Sequence, residues 1–345
     1  MIDIIAGTRP ELIKLAPVIH QLEKQDIDYR LILSGQHYDY EMLYVFIENF
    51  DLKNLVTTPP VVVEDSSHKF GIMTVRLSHL ILADKVVVQG DTDTALAGAL
   101  VARKQHKTLY HVEAGLRSHD WRQPEEHNRK IIDRISDVLF APTVVAETNL
   151  LREYIHPERQ RIYVTGNTVI DAIKMVESKL KPVDVPKNFV YFTLHRAETV
   201  DNRKTLRDVL ASLKHIERPI IWPLHPRTKK RIKEFKLKIP ENVTTIKPVD
   251  YLESLWLLKN CKFVMTDSGG LVEEATYFRK FTLILRRYND RPEACDYGYA
   301  AMTYLDPERI VAYARLAPQM EVPRGPSPYG DGKAAERIVR YILGE

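Results

Sequence analysis

Short apolar runs, often rich in β-branched residues, alternate along the chain with stretches whose apolar residues recur every three or four positions. Short apolar runs are typical of strands buried on both faces of a parallel sheet, and the longer spacing indicates amphipathic helices. After Pro10, for example, Leu12, Leu15 and Leu22 share one helical face. Similar spacing predicts helices at 92–105, 168–180 and 332–343.

Twelve strands are predicted, six in each half of the chain. They span 2–6, 30–34, 85–89, 108–112, 138–141 and 161–165, then 189–194, 219–224, 243–246, 263–266, 281–285 and 302–305. Between the halves, the proline-bearing segment 181–186 has no apolar periodicity and is typical of a linker. The 345 residues also suit two domains of roughly 100–200 residues each. The pattern therefore predicts two doubly wound, Rossmann-like parallel sheets, with domains at 1–167 and 168–328.

Composition excludes several classes of function. The net charge is +4 and is spread along the chain, which suits a protein that handles anions but not a nucleic-acid binder. No apolar run approaches the ~18 residues of a membrane span, and the N-terminus lacks a basic leader. Cys261 and Cys295 lie far apart without zinc-site spacing, so we expect reduced thiols, no metal and a cytoplasmic protein that does not bind membranes.

Polar residues follow several strands at the carboxyl edge, where open α/β sheets bind ligands. In the first half, Arg9 and Lys14 follow the first strand and could hold an anion at the positive end of a helix. The alternative is an ordinary helix start with solvated charges. Both interpretations fit the local sequence equally well.

Carboxylates follow the next strands of the first half. Asp91 comes after 85–89, Glu113 directly after 108–112, and Glu125 at a helix start. A helix cap, an ion pair with Arg117 and a favourable helix dipole are the respective structural alternatives. Acids gathered at one sheet edge can also raise one another's pKa, which makes a carboxyl group a proton donor or acceptor near neutrality.

The second half carries the strongest local signal. A strand runs into Thr266-Asp267-Ser268-Gly269-Gly270 and then a helix. The glycines allow backbone N–H groups to approach a phosphate, Glu274 could accept ribose hydroxyls, and Arg291 adds a cation suited to a diphosphate. An ordinary Gly-rich turn would not need these side chains together.

Two histidines also follow strands of the second half. His195 comes after 189–194 and His225 after 219–224, both where a ligand site is expected. The chain has no Gly-x-Gly-x-x-Gly after its first strand and no Walker A motif, so no NAD and no other cofactor is expected.

Taken together, these motifs resemble those of the non-hydrolysing UDP-N-acetylglucosamine 2-epimerases over nearly the whole chain. The motifs are Gly7-Thr8-Arg9-Pro10-Glu11, Gly35-Gln36-His37, Gly90-Asp91-Thr92, His111-Val112-Glu113-Ala114-Gly115-Leu116-Arg117, Pro124-Glu125-Glu126, His195-Arg196-x-Glu198, Asp267-Ser268-Gly269-Gly270 with Glu273-Glu274, and Arg291-Pro292-Glu293. Their shared order and spacing make the resemblance specific.

The resemblance implies a GT-B-like fold with a cleft between two Rossmann-like domains, a homodimer, and a C-terminal helix in 329–345 that returns to the first domain. It also implies roles for individual residues. The implied catalytic residues are Asp91, Glu113, Glu125 and His195. The implied ligand-binding residues are Arg9, Lys14, His225, Ser268, Gly269, Gly270, Glu274 and Arg291.

Three segments depart from the family pattern. The loop between Asn54 and Ser67 lacks a Gly-Ser-rich run, and Tyr288-Asn289-Asp290 stands where the family usually has Thr-Glu. The segment 36–42 differs from the bacterial pattern linked to allosteric activation by the substrate. We therefore expect no such activation here.

Inverting C2 of the sugar without NAD points to anti elimination of UDP, which gives 2-acetamidoglucal, followed by re-addition. This route needs an acid, a base and cations for the departing UDP, and the sequence does not assign the individual carboxylates. The alternatives are an epimerase for a modified UDP-sugar such as a UDP-diacetamido-uronic acid, a hydrolysing relative, a GT-B glycosyltransferase and a non-enzymatic nucleotide-sugar sensor.

Overall fold

The computed structural model describes residues 1–36, 40–63, 65–153, 156 and 158–344, without the side chains of 40–42. It divides into two compact units, Met1–Val176 with Tyr329–Glu345, and Glu177–Pro328. The expectation about allosteric activation rested on 36–42, and residues 37–39 of this segment, with the side chains of 40–42, lie outside the described residues.

Within the described residues, the first unit contains a seven-stranded parallel sheet with the order β3-β2-β1-β4-β5-β6-β7. Its strands are β1 (Ile2–Ala6), β2 (Tyr29–Leu33), β3 (Leu55–Thr57), β4 (Lys85–Gln89), β5 (Thr108–Val112), β6 (Val138–Ala141) and β7 (Arg161–Val164). The strand order reverses between β1 and β4, so the β1 and β4 turns flank the switch point where such sheets bind ligands.

Helices follow most strands of the first unit. They are α1 (Arg9–Glu23), α2 (Tyr40–Asn49), α3 (Ser66–Leu80), α4 (Asp93–Lys104), α5 (Pro124–Ile135), α6 (Val144–Arg152) and α7 (Thr168–Val176). All five residues of β1 are buried. Val86 and Val88 of β4 pack in one apolar cluster with Met73 and Leu77 of α3, which explains why valines occupy these two positions of the strand.

The second unit repeats the plan with a six-stranded parallel sheet, counted over its described residues, in the order β10-β9-β8-β11-β12-β13. Its strands are β8 (Val190–Thr193), β9 (Ile220–Pro223), β10 (Val243–Ile246), β11 (Phe263–Thr266), β12 (Thr282–Ile284) and β13 (Ala300–Met302). The predicted α/β class with two parallel sheets is confirmed.

The helices of the second unit enclose a core of its own. They are α8 (Ala197–Val200), α9 (Arg203–Leu213), α10 (Pro226–Glu234), α11 (Tyr251–Asn260), α12 (Gly269–Tyr277), α13 (Glu293–Asp296) and α14 (Pro307–Leu316). Phe192 of β8, Trp222 of β9 and Met265 of β11 are fully buried and share one apolar cluster of this unit. Each unit thus has the apolar core that an independent sheet requires.

The last helix, α15 (Ala334–Leu343), belongs to the first unit and packs against α1 and α7. The Asp171 carboxylate of α7 accepts hydrogen bonds from the N–H groups of Ala334 and Ala335, at 3.2 and 3.0 Å. The helix Thr168–Val176, assigned by the sequence to the second domain, therefore lies in the first unit.

Two strand predictions need correction. The pattern does not predict β3, a three-residue strand with no buried residue, because it carries too little apolar signal. The last strand lies at Ala300–Met302 and not at 302–305. Tyr304 and Leu305 have φ of 55° and 59°, a left-handed conformation that cannot continue a strand. In the part of the chain that the structure describes, no helix is long and apolar enough to cross a membrane.

Candidate active site

Glu113 lies directly after β5 and forms a buried ion pair with Lys14 of α1. The same carboxylate oxygen accepts a hydrogen bond of 2.8 Å from Gln89 Nε2, at the end of β4. The alternative partner, Arg117, instead pairs with Asp133 and Glu153. The structure thus brings together Lys14, the cation predicted after β1, and Glu113, the carboxylate predicted after β5.

The backbone at Glu113 is strained. Its φ of 68° lies in the left-handed region, which residues other than glycine rarely adopt. Such a conformation costs about 1–3 kcal/mol and is concentrated at functional sites. The Ala114 N–H bond to the Phe140 carbonyl, at 3.1 Å, and the side-chain contacts of Glu113 hold the turn in place.

Asp91 lies in the turn between β4 and α4, where it binds α5. Its Oδ2 accepts a hydrogen bond of 2.6 Å from Arg129 Nη2, and its side chain is 28% exposed. Thr92 is the residue that caps α4, through a 3.0 Å bond from the Ala95 N–H to its hydroxyl. The alternative interpretation of Asp91 as the cap of α4 is therefore wrong.

Adjacent glutamates at the start of α5 have different surroundings. Glu125, the predicted catalytic residue, is exposed. Glu126 is fully buried, accepts hydrogen bonds from the N–H and hydroxyl groups of Ser118 at 2.8 and 3.0 Å, and lies 3.1 Å from Arg129 Nη1. Glu126 was not predicted as a site residue, because the sequence does not show which of two adjacent glutamates faces the interior of the protein.

Arg9 is the first residue of α1, and its guanidinium carbon lies 6.0 Å from the centre of the Phe46 ring. Its neighbour Glu11, which was not predicted as a site residue, is buried. Glu11 accepts hydrogen bonds from the Gly7 N–H at 3.0 Å and from the hydroxyls of Thr8 and Thr92 at 2.7 Å each.

Burial raises the pKa of Glu11 to about 7, against the opposing effect of these hydrogen bonds. One carboxylate thus joins the two turns that carry Arg9 and Asp91. The sequence did contain a signal, because Thr8-x-x-Glu11 has the spacing of a capping box.

In the second unit, Asp267 fixes the turn that carries His195. Its Oδ2 accepts hydrogen bonds from the N–H groups of His195 and Arg196, at 2.9 and 2.7 Å. His195 Nδ1 lies 3.2 Å from the other carboxylate oxygen, and the His195 side chain is 39% exposed. A fully buried aspartate thus orients a partly accessible imidazole at the carboxyl end of β8.

His225 lies at the end of the neighbouring strand and caps α10, because its Nδ1 accepts a 3.2 Å hydrogen bond from the Arg227 N–H. That bond places any ring proton on Nε2. The His225 ring centre is 5.6 Å from that of His195. The structure therefore brings the two predicted histidines together.

The two glycines of the predicted phosphate turn have different roles. Ser268 caps α12 by accepting a 3.4 Å hydrogen bond from the Leu271 N–H. A Cβ on Gly269 would lie 2.6 Å from Arg291 Nη1, whereas a Cβ on Gly270 would meet no atom within 4 Å. Gly269 leaves room for Arg291, and Gly270 leaves the start of the helix open, as anion binding at a helix N-terminus requires.

Arg291 lies over this turn but is already paired. Its Nε binds Glu273, and its Nη1 lies 2.7 Å from Asp290. Asp290 also accepts from the buried Arg286, at 2.7 Å. Because two buried carboxylates balance these two guanidinium groups, the positive charge predicted for this turn is largely neutralised.

Glu274, predicted to bind ribose, is buried next to Tyr251 of α11. Burial, the negative charge of Glu274 and a hydrogen bond to its carboxylate raise the pKa of Tyr251 well above the ordinary tyrosine value. The tyrosine hydroxyl therefore stays protonated and helps to position Glu274.

A pocket of about 290 Å³ lies at the opposite edge of the first sheet. Lys85, Thr108, Val138 and Arg161, the first residues of their strands, line it. Since ligands of open α/β sheets bind at the carboxyl ends, this pocket is not part of the candidate active site. Over the described residues, no group of three or more His, Cys, Asp or Glu side chains could hold a metal.

Two parallel-sheet units with polar side chains gathered at their carboxyl edges define a GT-B-like α/β protein. The chain belongs to the UDP-N-acetylglucosamine 2-epimerase family, whose sequence model matches residues 20–343. The resemblance inferred from the motifs is thereby confirmed.

Several relatives match almost end to end. The Methanocaldococcus jannaschii UDP-N-acetylglucosamine 2-epimerase is 40% identical over 99% of this chain and 98% of its own. A crystal structure of the M. jannaschii enzyme with UDP-GlcNAc and UDP superposes with a TM-score of 0.92, at 40% identity, over 100% of this chain and 99% of that one. The Pseudomonas aeruginosa UDP-2,3-diacetamido-2,3-dideoxy-D-glucuronate 2-epimerase is 34% identical over 98% of both chains.

Proposed function

We propose that this protein is a non-hydrolysing UDP-N-acetylglucosamine 2-epimerase that interconverts UDP-GlcNAc and UDP-ManNAc without a cofactor. The observation that carries the proposal is the buried Lys14–Glu113 pair in a strained turn at the carboxyl edge of the first sheet. A glycosyltransferase needs at most one base, for its acceptor hydroxyl, and has no reason to keep the three first-unit carboxylates Asp91, Glu113 and Glu125. The 40% identical M. jannaschii relatives support the same activity.

The proposed reaction is an anti elimination followed by re-addition. A carboxylate takes the proton from C2, the C1–O bond to UDP breaks, and the C1–C2 double bond of 2-acetamidoglucal forms. UDP then attacks C1 again, and an acid returns a proton to the other face of C2. Asp91, Glu113 and Glu125 supply the acid and the base, and the Lys14 ammonium stabilises negative charge on Glu113.

The second unit holds the leaving group in this proposal. Gly270 and the N-terminus of α12 bind the diphosphate, Ser268 and Gly269 shape the turn, Glu274 binds the ribose, and His195 with His225 stabilises the departing UDP. Arg291 acts mainly by fixing this turn, because Glu273 and Asp290 already balance its charge. Arg9 contributes a cation from the first unit.

The test is to incubate the protein with UDP-GlcNAc and EDTA in deuterated water and to follow C2 by NMR. We expect UDP-ManNAc and deuterium at C2 in both sugars. Glu113→Gln should abolish turnover and leave UDP binding unchanged. Absence of both UDP-ManNAc and C2 exchange from the wild-type reaction refutes the proposal. Release of free ManNAc with UDP indicates a hydrolysing enzyme instead, and transfer of the sugar to an added acceptor indicates a glycosyltransferase.

The second candidate substrate is a UDP-diacetamido-uronic acid, the type of sugar named for the P. aeruginosa relative. A carboxylate at C6 would need a cation that UDP-GlcNAc does not require. Comparing kcat/KM for the two substrates in parallel assays distinguishes them. A higher value for the uronic acid would reassign the substrate and keep the reaction type.

We also propose that the protein is a cytoplasmic homodimer that supplies a cell-surface polysaccharide precursor. Val144 and Leu151 are seven residues apart on α6 and are 65% and 62% exposed, so one face of this helix presents two apolar side chains that a second copy would cover. The two free cysteines suit a reducing compartment. Sedimentation velocity of wild-type protein and Leu151→Glu tests the dimer; a monomeric wild type would contradict it.

A further inference from the structure

Helix α5 contacts the turn that carries Asp91 directly at two points. Asn128 Nδ2 donates a 2.9 Å hydrogen bond to the Asp91 carbonyl, and Arg129 Nη2 donates one of 2.6 Å to its carboxylate. A third link comes from His111, whose ring bonds the Gly90 carbonyl at 2.8 Å and Asp133 of α5 at 2.7 Å. Both the backbone and the side chain of Asp91 are therefore fixed by the same helix.

Arg129 is itself held in place from behind. Its side chain is 4% exposed, and its Nη1 lies 3.1 Å from Glu126 Oε2. That oxygen also accepts the two hydrogen bonds from Ser118. Because a guanidinium is a rigid planar fork, fixing one nitrogen on Glu126 also sets the direction of the nitrogen that reaches Asp91.

The chain of contacts from Ser118 through Glu126 and Arg129 to Asp91, here called the Arg129 network, does more than stabilise the fold. A buried ion pair adds little net stability, since desolvation offsets most of the attraction, and α5 is already anchored by the fully buried Ile132. The buried side chains of Glu126 and Arg129 hold Asp91, whose own side chain remains 28% exposed. The physical result is an accessible carboxylate whose position is fixed by inaccessible partners.

We propose that Arg129, oriented by Glu126, is a positioning residue that aims the Asp91 carboxylate for proton transfer at C2. This inference rests on the proposed epimerase function. Without the guanidinium, the carboxylate can rotate about its χ angles, and a displacement of about 1 Å from the reacting atom can cost about 100-fold in rate.

The experiment compares Arg129→Met, Arg129→Lys and Glu126→Gln with the wild type. The matched control is Arg134→Met, which removes an exposed arginine from the same helix. We expect kcat to fall about 100-fold in Arg129→Met, with KM and the UDP dissociation constant changed by less than about threefold. Arg129→Lys and Glu126→Gln should lose less, because each keeps one part of the network. Arg134→Met should match the wild type.

Isotope effects separate positioning from loss of folded enzyme. We measure kcat with C2-deuterated UDP-GlcNAc and, separately, in deuterated water. A misdirected Asp91 makes its proton transfer more rate-limiting, so at least one of the two isotope effects should rise in Arg129→Met and, more weakly, in Glu126→Gln. A smaller fraction of folded enzyme lowers the measured rate but leaves both isotope effects unchanged.

Two results would overturn the inference. The first is a kcat within threefold of the wild type in Arg129→Met, and the second is a lower kcat with both isotope effects unchanged in all three variants. If Arg129→Met does not fold, the decision rests on Arg129→Lys and Glu126→Gln. An inactive wild type instead refutes the epimerase function, and this inference falls with it.

Discussion

At the scale of single residues, Glu11 has the clearest dependence on pH. Burial raises its pKa to about 7, so the folded protein binds this proton more tightly than the unfolded chain, in which the group has its ordinary value of 4.5. The contribution to stability is present below pH ~4.5 and is lost as the pH rises through about 7.

We therefore expect the free energy of unfolding to fall between pH ~4.5 and ~7 by as much as about 3 kcal/mol from this group. Glu11→Gln mimics the protonated carboxyl and should remove that part of the slope. Urea unfolding of both proteins at several pH values measures the difference. Parallel slopes in the two proteins would contradict the assignment.

Predicting such residues from sequence succeeded only in part. The pattern placed Glu113 and Asp91 at the sheet edge because each follows an apolar strand. It could not tell Glu125 from Glu126, because one step along a helix turns a side chain by about 100°. It also could not show that Glu273 and Asp290 balance Arg291, since that depends on how α12 and the following loop pack.

At the scale of elements, the α12 turn separates a packing role from a binding role. A Cβ on Gly269 would lie 2.6 Å from Arg291 Nη1, and one on Gly270 would lie in open space. Both residues occupy the first helical turn, where alanine is favoured over glycine. Steric contact should therefore decide what each substitution does.

Gly269→Ala should displace Arg291 and lower the free energy of unfolding by about 1–3 kcal/mol. Gly270→Ala should leave the stability unchanged or slightly higher but weaken UDP binding at least tenfold, because the methyl group occupies the space proposed for the diphosphate. Thermal unfolding and UDP titration calorimetry of the pair check both statements. Unchanged UDP affinity in Gly270→Ala would exclude this turn from the nucleotide site.

The elements themselves were largely predictable. β1, β4, β5, β6, β10 and β11 have the predicted bounds. For the strands inside the two sheets, such as β1 and β11, the reason is that strands buried on both faces form apolar runs between polar turns. The misses were β3, which is short and lies at the sheet edge, and β13, where left-handed residues end the strand early. Periodicity carries little information in three residues.

At the scale of the whole molecule, each unit has its own sheet and apolar cluster. Since the proposed nucleotide site lies in Glu177–Pro328, UDP should protect that unit preferentially. At 100 times its dissociation constant, UDP should add about 2.7 kcal/mol to the opening free energy there.

Hydrogen exchange measured by mass spectrometry tests this expectation. Peptides from β8, β11 and β12 should exchange more slowly with UDP, and peptides from β1 and β4 should change less. Gly270→Ala at the same UDP concentration is the control and should lose the protection. Protection confined to the first unit would place the nucleotide elsewhere.

The sequence by itself determined the α/β class, the two parallel sheets, the family, and the residues that follow each strand. It could do so because strand and helix periods, turn residues and motif spacing are local properties of the chain. Tertiary structure decided the partners: Lys14 for Glu113, 99 positions away, and Arg129 for Asp91, 38 positions away. These pairings depend on the angles and distances at which whole helices and sheets pack, and no local pattern encodes them.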